Sequence, residues 1–194
     1  MNGSDFLIAD RLTIRCRGDV YYPREDSIAM AEAVEEMAHG RALDLGTGSG
    51  IQGIVAAVKG CDVTFADIDD EAIKCAKENA EANGVGGEFV KSDMFSDIKG
   101  RFDTIIFNPP YTKSKPLKQM DEKHIVRALY GGKYGRELIE KFISGYKEHL
   151  AYGGIALLLE SSINGYEGDI MRHNAAVVVN KHYFFEDLVV LLFR

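Results

Sequence analysis

Apolar residues in this chain come in short runs, and polar stretches of helical period lie between them. Ala42-Leu43-Asp44-Leu45 is one such run, broken by a single carboxylate, and it predicts a buried strand. Ile51 to Val58 predicts a helix and Val63-Thr64-Phe65-Ala66 a second strand. Asp69 or Asp70 caps a helix that runs to about Ala82 and stops at Asn83-Gly84. Glu88-Phe89-Val90 and Phe102 to Phe107 predict a third and a fourth strand. Residues 108–135 carry no period; an irregular stretch of that length inside a compact domain usually has a function. Glu137 to Leu150 reads as a helix and Ile155 to Leu159 as a fifth strand. Residues 161–174 are polar, with room for one or two helical turns, and 175–179 and 188–193 form a last pair of strands. Ahead of all this, residues 6–22 predict a short β element, and Asp26 or Ser27 caps a helix to about residue 38 with Ala, Met and Val on its apolar face.

Strands that alternate with helices imply an α/β fold: a Rossmann-like, seven-stranded, mainly parallel sheet with helices on both faces. The last two strands stand too close for a crossover helix, so they predict a C-terminal antiparallel hairpin. The chain, 1–194, reads as a single domain, with a β element and helix over 1–40 and the Rossmann-like core over 41–194.

Composition narrows the partners. At 194 residues the chain can bury a core without disulfides or a structural metal. Cys16, Cys61 and Cys75 form no CxxC pair, so neither a disulfide framework nor a metal site is expected. The start, MNGSDFLIADRL, lacks the pattern of a signal peptide, and no apolar stretch reaches the ~18 residues of a membrane span, which points to a cytoplasmic protein. A net charge of −7 disfavours broad binding to nucleic acid. Residues 112–136 run the other way: Lys113, Lys115, Lys118, Lys123, Arg127, Lys133 and Arg136 stand against Asp121 and Glu122.

Asp44-Leu45-Gly46-Thr47-Gly48-Ser49-Gly50 follows a strand and opens a helix. Its glycines permit a tight turn and close approach of backbone to a ligand, as in folds that bind NAD, FAD or S-adenosylmethionine. Asp67, at the end of the second strand, can accept from both hydroxyls of a ribose; as a bare turn residue it would instead cap the helix beside Asp69 and Asp70. Asp93, after the third strand, can accept from an adenine amino group. Asn108-Pro109-Pro110-Tyr111 ends the fourth strand on the same sheet edge and points to methyl transfer rather than hydride transfer. A planar NH2 group is a poor nucleophile because its lone pair is delocalised. The Asn108 side-chain oxygen and the Pro109 carbonyl can accept its two hydrogens, fixing the nitrogen toward a sulfonium methyl while charge builds. Proline, with no N–H and a fixed φ, lets the turn present carbonyls inward, and Tyr111 can stack on the planar target. The four residues 108–111 are the candidate catalytic set, and no metal is needed.

These motifs together resemble the class I methyltransferases that act on amino nitrogens. Val20-Tyr21-Tyr22-Pro23-Arg24-Glu25-Asp26-Ser27 and Gly131-Gly132-Lys133-Tyr134-Gly135-Arg136-Glu137 narrow the resemblance to the HemK-like protein-glutamine methyltransferases, and the short N-terminus to their archaeal and eukaryotic branch. The resemblance covers roughly residues 20–160 and implies S-adenosylmethionine as cofactor, held by Ser27, Asp44, Gly46, Gly48, Gly50, Asp67, Ile68, Asp93, Met94 and Asn108. It also implies a substrate, the glutamine of the Gly-Gly-Gln motif in a class I release factor, methylated on N5 and held by residues 108–111. The family often carries a Gly-Gln-Glu-Thr-Leu-like run before the last strand, where this chain has Phe184-Phe185-Glu186-Asp187-Leu188. Members of the branch commonly work with a small zinc-binding activator protein. The third strand, Gly87 to Lys91, falls at a sheet edge in the usual order of this fold and is the expected place for a partner to add a strand. The alternative is an adenine or guanine amino methyltransferase acting on RNA or DNA, which offers the same planar NH2 and would give the basic stretch a purpose. A protein that binds the cofactor but has lost catalysis is disfavoured by the intact Asn108-Pro109-Pro110-Tyr111.

Overall fold

The computed structural model describes residues 11–16, 20–112, 132 and 134–194. In chain order its elements are α1 (Glu25–Met37), β1 (Arg41–Leu45), α2 (Ile51–Val58), β2 (Asp62–Asp67), α3 (Asp70–Ala82), β3 (Glu88–Lys91) and β4 (Phe102–Phe107). Then come α4 (Glu137–His149), β5 (Leu150–Ser161), a 3₁₀ turn (Ser162–Asn164), α5 (Glu167–His173), β6 (Ala176–His182) and β7 (Asp187–Phe193). The seven strands form one sheet in the order β3-β2-β1-β4-β5-β7-β6. β3, β2, β1, β4 and β5 are parallel, and β7 runs antiparallel to both β5 and β6.

The period of two along the strands sorts the core onto two faces. Ala42, Ile106, Leu157, Leu159, Val190 and Leu192 face a cluster that also holds Met30 and Val34 of α1, Ile54 and Val55 of α2, and Ala76 and Ala80 of α3. Their neighbours Leu43, Leu45, Ile105, Phe107, Leu158, Val189 and Leu191 face the opposite cluster, with Ile139, Phe142 and Tyr146 of α4. Helices therefore cover both faces. The parallel strands place the carboxyl ends of β1, β2, β3 and β4 along one edge of the sheet.

The N-terminal segment departs from expectation. The described part of residues 6–22 contains no strand, while residues 6–10 and 17–19 lie outside the described residues. α3 supplies the pairing instead. Asn83 Oδ1 accepts from the Thr13 N–H at 2.8 Å and Asn79 Oδ1 from the Arg15 N–H at 2.9 Å, while their amide nitrogens donate to the carbonyls of the same two residues. Two asparagines four apart on a helix rise about 6 Å, close to the roughly 6.7 Å between alternate residues of an extended chain, so they offer it a strand-like edge. β5 also begins five residues before the expected Ile155: Leu150 already pairs with Phe102, and the ladder shifts register between Phe102 and Thr104. Gly153, at φ +76, lets the strand pass through the irregularity that reads as a break in the sequence. Most of the basic stretch, residues 113–131 and Lys133, falls outside the described residues.

Candidate active site

The turn after β1 is built on positive φ at Gly46 (+64), Gly48 (+52) and Gly50 (+86), conformations that disfavour a side chain. Asp44, buried beneath it, shapes the turn: its Oδ2 accepts from Thr47 Oγ1 at 2.5 Å and from the Gly53 N–H at 2.9 Å. A Cβ on Gly53 would fall 2.3 Å from the Phe65 ring, so α2 lies against β2 only because that position is bare. Asp67 joins the turn to the next loop, accepting from the Gly48 N–H on Oδ2 and the Asp69 N–H on Oδ1, each at 3.0 Å. Its carbonyl accepts from the Ser92 N–H at 2.9 Å, which ties in the end of β3.

These loops wall a cavity of about 630 Å³. Of the ten expected cofactor residues, nine line it: Ser27, Asp44, Gly46, Gly48, Asp67, Ile68, Asp93, Met94 and Asn108. Gly50 does not. It stands at the N-terminus of α2 with its Cα against α3, where an added Cβ would meet the Ala76 Cα at 3.0 Å, so its role is to let two helices approach. Burial pushes Asp44 up to about 7, against the hydrogen bonds from Thr47 and Gly53. Burial likewise raises Asp67, opposed by the backbone N–H groups of Asp69 and Gly48.

A second, smaller cleft of about 50 Å³ opens beside the first, lined by Tyr21, Asp26 and residues 108–112. Tyr21, Asn108 and Pro110 belong to both, so the two spaces meet at the end of β4. Asn108 Nδ2 donates to Asp26 Oδ2 at 3.2 Å. A carboxylate accepts and does not donate, so this bond fixes the sense of the amide and turns Oδ1 the other way. That Oδ1 is buried and has no hydrogen-bond partner. A buried acceptor without a donor is costly, and the residue that carries it lines both the cleft and the cavity, where a ligand's N–H could satisfy it. Asp26 itself, 6% exposed, also accepts from the Tyr21 hydroxyl at 3.2 Å. Burial first, and then the negative charges of Asp26 and Glu186, push the Tyr111 hydroxyl well above the usual phenol range and keep it neutral.

The Asn-Pro-Pro-Tyr turn is held from behind by a residue with no sequence signal. Asn164, in the 3₁₀ turn after β5, donates from Nδ2 to the Tyr111 carbonyl at 2.9 Å and to the Gly135 carbonyl at 3.0 Å. It thereby fastens the two ends of the segment between them. Gly135, at φ +69, lies so close that a Cβ there would fall 2.3 Å from the Tyr111 oxygen. Arg136 anchors the return end, donating to the Asn164 carbonyl at 2.9 Å and pairing with buried Glu160 at 3.2 Å and Asp169 at 2.5 Å. Its guanidinium is thus consumed inside the protein and adds nothing to the basic face that the sequence of 112–136 suggests.

Asp26, Tyr21, Gln52 and Asn164 are the site residues that sequence reasoning missed. Asp26 has the plain sequence role of a helix cap, and only the resemblance of its segment hinted at more. Gln52 lines the larger cavity and donates to the Ser27 carbonyl at 2.9 Å, tying α2 to α1. Among the described residues no group of three or more His, Cys, Asp or Glu could hold a metal ion, and no helix is long and apolar enough to cross a membrane.

The methyltransferase small domain family matches residues 25–184, a span that contains the glycine turn, Asp67, Asp93 and the Asn108 turn. The chain belongs to that family. It is 36% identical to a putative protein N5-glutamine methyltransferase of Methanocaldococcus jannaschii over 155 residues, 79% of this chain and 78% of that protein. It is 32% identical to a release factor glutamine methyltransferase of Deinococcus radiodurans, over 77% of this chain and 56% of that protein. Among solved structures, the E. cuniculi Mtq2–Trm112 complex, described as responsible for methylation of the eRF1 termination factor, shares the fold with a TM-score of 0.70 at 23% identity, over 91% of this chain and 99% of that one. The fold is the class I Rossmann-like methyltransferase fold and the cofactor is S-adenosylmethionine. The site fits that molecule on its own terms. Carboxylates of Asp44, Asp67 and Asp93 suit a ligand with cationic centres, hydroxyls and an amino group, and the cavity has the size of a small-molecule site.

Proposed function

We propose that this chain methylates N5 of the glutamine in the Gly-Gly-Gln motif of a class I release factor. The observation that carries the reading is the buried, partnerless Asn108 Oδ1, oriented by Asp26 at the junction of the two spaces. Ser27, Asp44, Gly46, Gly48, Asp67, Ile68, Asp93 and Met94 would hold S-adenosylmethionine, which when bound would supply an electrophilic methyl carbon.

The chain's own residues do the rest. Asn108 Oδ1 and the Pro109 carbonyl accept the two hydrogens of the substrate amide, which orients the nitrogen and draws its lone pair out of conjugation. Tyr111 covers the planar group as a neutral phenol. The nitrogen forms its new bond to carbon as the bond from carbon to sulfur breaks, and then loses one proton to water. No residue needs to remove a proton first, because an amide so methylated is a strong acid. Burial raises both Asp44, to about 7, and Asp67, and a cationic cofactor in the cavity would favour their ionised forms.

Further parts of the reading concern the setting. We take the chain as a single domain working in the cytoplasm. We assign a small zinc-binding activator to the open edge of β3. Its support is that β3 is the last strand on its side of the sheet, paired only with β2 among the described residues, and that Phe89 is half-buried against Phe65 at 4.8 Å between ring centroids. An apolar strand in that position is prone to pairing.

The deciding experiment follows labelled methyl transfer from S-adenosylmethionine into a purified class I release factor. It is run with and without a zinc-binding activator and with a Gln→Ala version of the Gly-Gly-Gln loop as control. Label in the intact factor and none in the control is the expected result. Label that enters RNA or DNA instead would replace the reading with nucleic-acid amino methylation.

A further inference from the structure

The acceptor cleft holds about 50 Å³, room for an amide and little else. The affinity for a polypeptide must therefore come from surfaces outside it, where remote contacts bring the substrate in and orient it. The surface beside the cleft carries an unusual feature. Phe184 and Phe185, at the tip of the β6–β7 hairpin, are 91% and 88% exposed and stand edge to face with their centroids 4.7 Å apart. The pair is carried on a fixed turn. The Tyr183 N–H donates to the Glu186 carbonyl at 2.9 Å, Ser161 Oγ donates to the Glu186 carboxylate, and the Asp187 N–H donates to Ser162 Oγ at 3.0 Å. Ser161 and Ser162 mark the carboxyl end of β5, on the same sheet edge as Asn108 to Tyr111. Ser161, which holds Glu186, ends β5, and β5 lies beside β4, whose end carries Asn108, so the turn stands on the cleft's edge of the sheet. Two more exposed apolar residues adjoin the site: Tyr22 follows Tyr21 of the cleft wall, and Ile163 precedes Asn164.

We propose that the Phe184–Phe185 tip is a docking element that seats in an apolar socket of the folded substrate protein, next to the loop that carries the target glutamine. The proposal rests on the protein-glutamine reading above and adds to it the surface that recognises the fold of the substrate. Aromatic side chains on a rigid turn present large contact area with little entropy to lose, which is why they dominate protein interfaces. They can also stack on nucleic-acid bases, but the turn itself carries the carboxylates Glu186 and Asp187, which repel a phosphate backbone. A second copy of this chain seated on the tip would cover the cleft that the substrate must enter.

The test compares two substrates under whichever condition of the labelling assay gives label: an intact class I release factor, and a short peptide spanning its Gly-Gly-Gln loop. Phe184→Ser/Phe185→Ser is expected to raise KM for the intact factor about tenfold while leaving kcat unchanged. The same variant should methylate the peptide as the unsubstituted protein does and bind S-adenosylmethionine with the same Kd. Tyr152→Ser removes an equally exposed aromatic from the opposite, amino-terminal edge of the sheet and should change nothing. An unchanged KM for the factor overturns the proposal. So does an equal loss on factor and peptide, or an unsubstituted protein that sediments as a dimer which the double variant dissociates. An unsubstituted protein that labels neither substrate overturns the glutamine reading itself, and the docking element with it.

Discussion

The two halves of the site are built in different ways. In the cofactor half the side-chain bonds of the two buried carboxylates that shape the glycine turn are short in sequence. Asp44 reaches Thr47 and Gly53, three and nine positions on, and Asp67 reaches Gly48, nineteen positions back. The acceptor half is assembled from afar. Asp26 orients Asn108 across 82 positions, and Asn164 holds Tyr111 across 53. The glycine turn and its two carboxylates belong to one β-α-β segment, to which Gln52 ties Ser27 of α1 and Asp67 ties the end of β3. The acceptor half exists only when α1, β4 and the turn after β5 have all found their places. Damage to the second half should therefore cost turnover and spare cofactor affinity, and damage to the first should do the reverse.

The largest expected effect is at Asn108. Asn108→Ala removes an acceptor that acts on the reacting nitrogen, a loss worth about 10²–10³ in kcat for a preorganised electrostatic contact. The Kd for S-adenosylmethionine, measured by calorimetry, should stay within about threefold, since the rest of the larger cavity is untouched. Equal losses in both quantities would show that the halves are not separable.

Next comes the clamp. Asn164→Asp replaces a double donor by a group that repels both the Tyr111 and the Gly135 carbonyls at nearly constant volume. The Asn-Pro-Pro-Tyr turn should shift, and a misplacement of about 1 Å near the reacting atoms costs on the order of 10²-fold in kcat. Cofactor affinity should again hold. A kcat that survives would mean that the turn is self-supporting and the clamp is incidental. Asp67→Ala tests the other half. It removes a charged acceptor and loosens the Gly48 and Asp69 amides, so Kd for the cofactor should rise about tenfold or more while kcat at saturation changes little. An unchanged Kd would refute the ribose assignment.

The same contrast explains what the sequence could tell. Six of the seven strands were legible within a few residues of their ends; for β1, β2 and β4 the reason is burial on both faces of a parallel sheet, which leaves a strong local pattern. β5 was cut short because Gly153-Gly154 reads as a break until a positive φ and a register shift absorb it. Within the described residues 11–16 and 20–22 the N-terminal β element is absent for a complementary reason: alternate residues Thr13 and Arg15 pair with asparagines on α3 rather than with a strand. In the site, glycine spacing and acidic strand ends pointed to Asp44, Gly46, Gly48, Asp67 and Asp93, the family resemblance added Ser27, Ile68, Met94 and Asn108, and all nine line the cavity. Gly50 looked like its neighbours and serves helix packing instead. Asp26 and Asn164 were invisible as functional groups: Asp26 reads as a helix cap in sequence, whereas the N-cap is Arg24 and Asp26 lies inside the first turn of α1, and an asparagine in a polar turn is unremarkable until the fold sets two carbonyls beside it. Arg136 was read with the wrong partners, as one cation among seven, because sequence proximity says nothing about buried Glu160 and Asp169.

The smallest effect sharpens the comparison through pH, and it carries two opposite signs. Burial raises Asp44 in the folded protein to about 7 from its ordinary value of 3.8. Between those values the unfolded chain has released the proton and the folded chain still holds it, so stability of the cofactor-free protein falls as pH rises, by up to about 1.4 kcal/mol per pH unit from this group, and levels off above pH 7. Cofactor binding goes the other way. A cation in the cavity favours the ionised carboxylate, so below about pH 7 binding must expel a proton, and affinity should fall by up to about tenfold per pH unit as pH drops. Thermal melts of the free protein and calorimetric titrations in buffers of different ionisation heat read the two slopes separately. Asp44→Asn should flatten the binding slope and lessen the melting slope, where buried Glu160, raised to about 8 outside the cavity, contributes with the same sign; Asn108→Ala, in the other half, should leave both in place. A binding slope that persists in Asp44→Asn would move the titrating group to Asp67, the other carboxylate that burial raises in the same cavity.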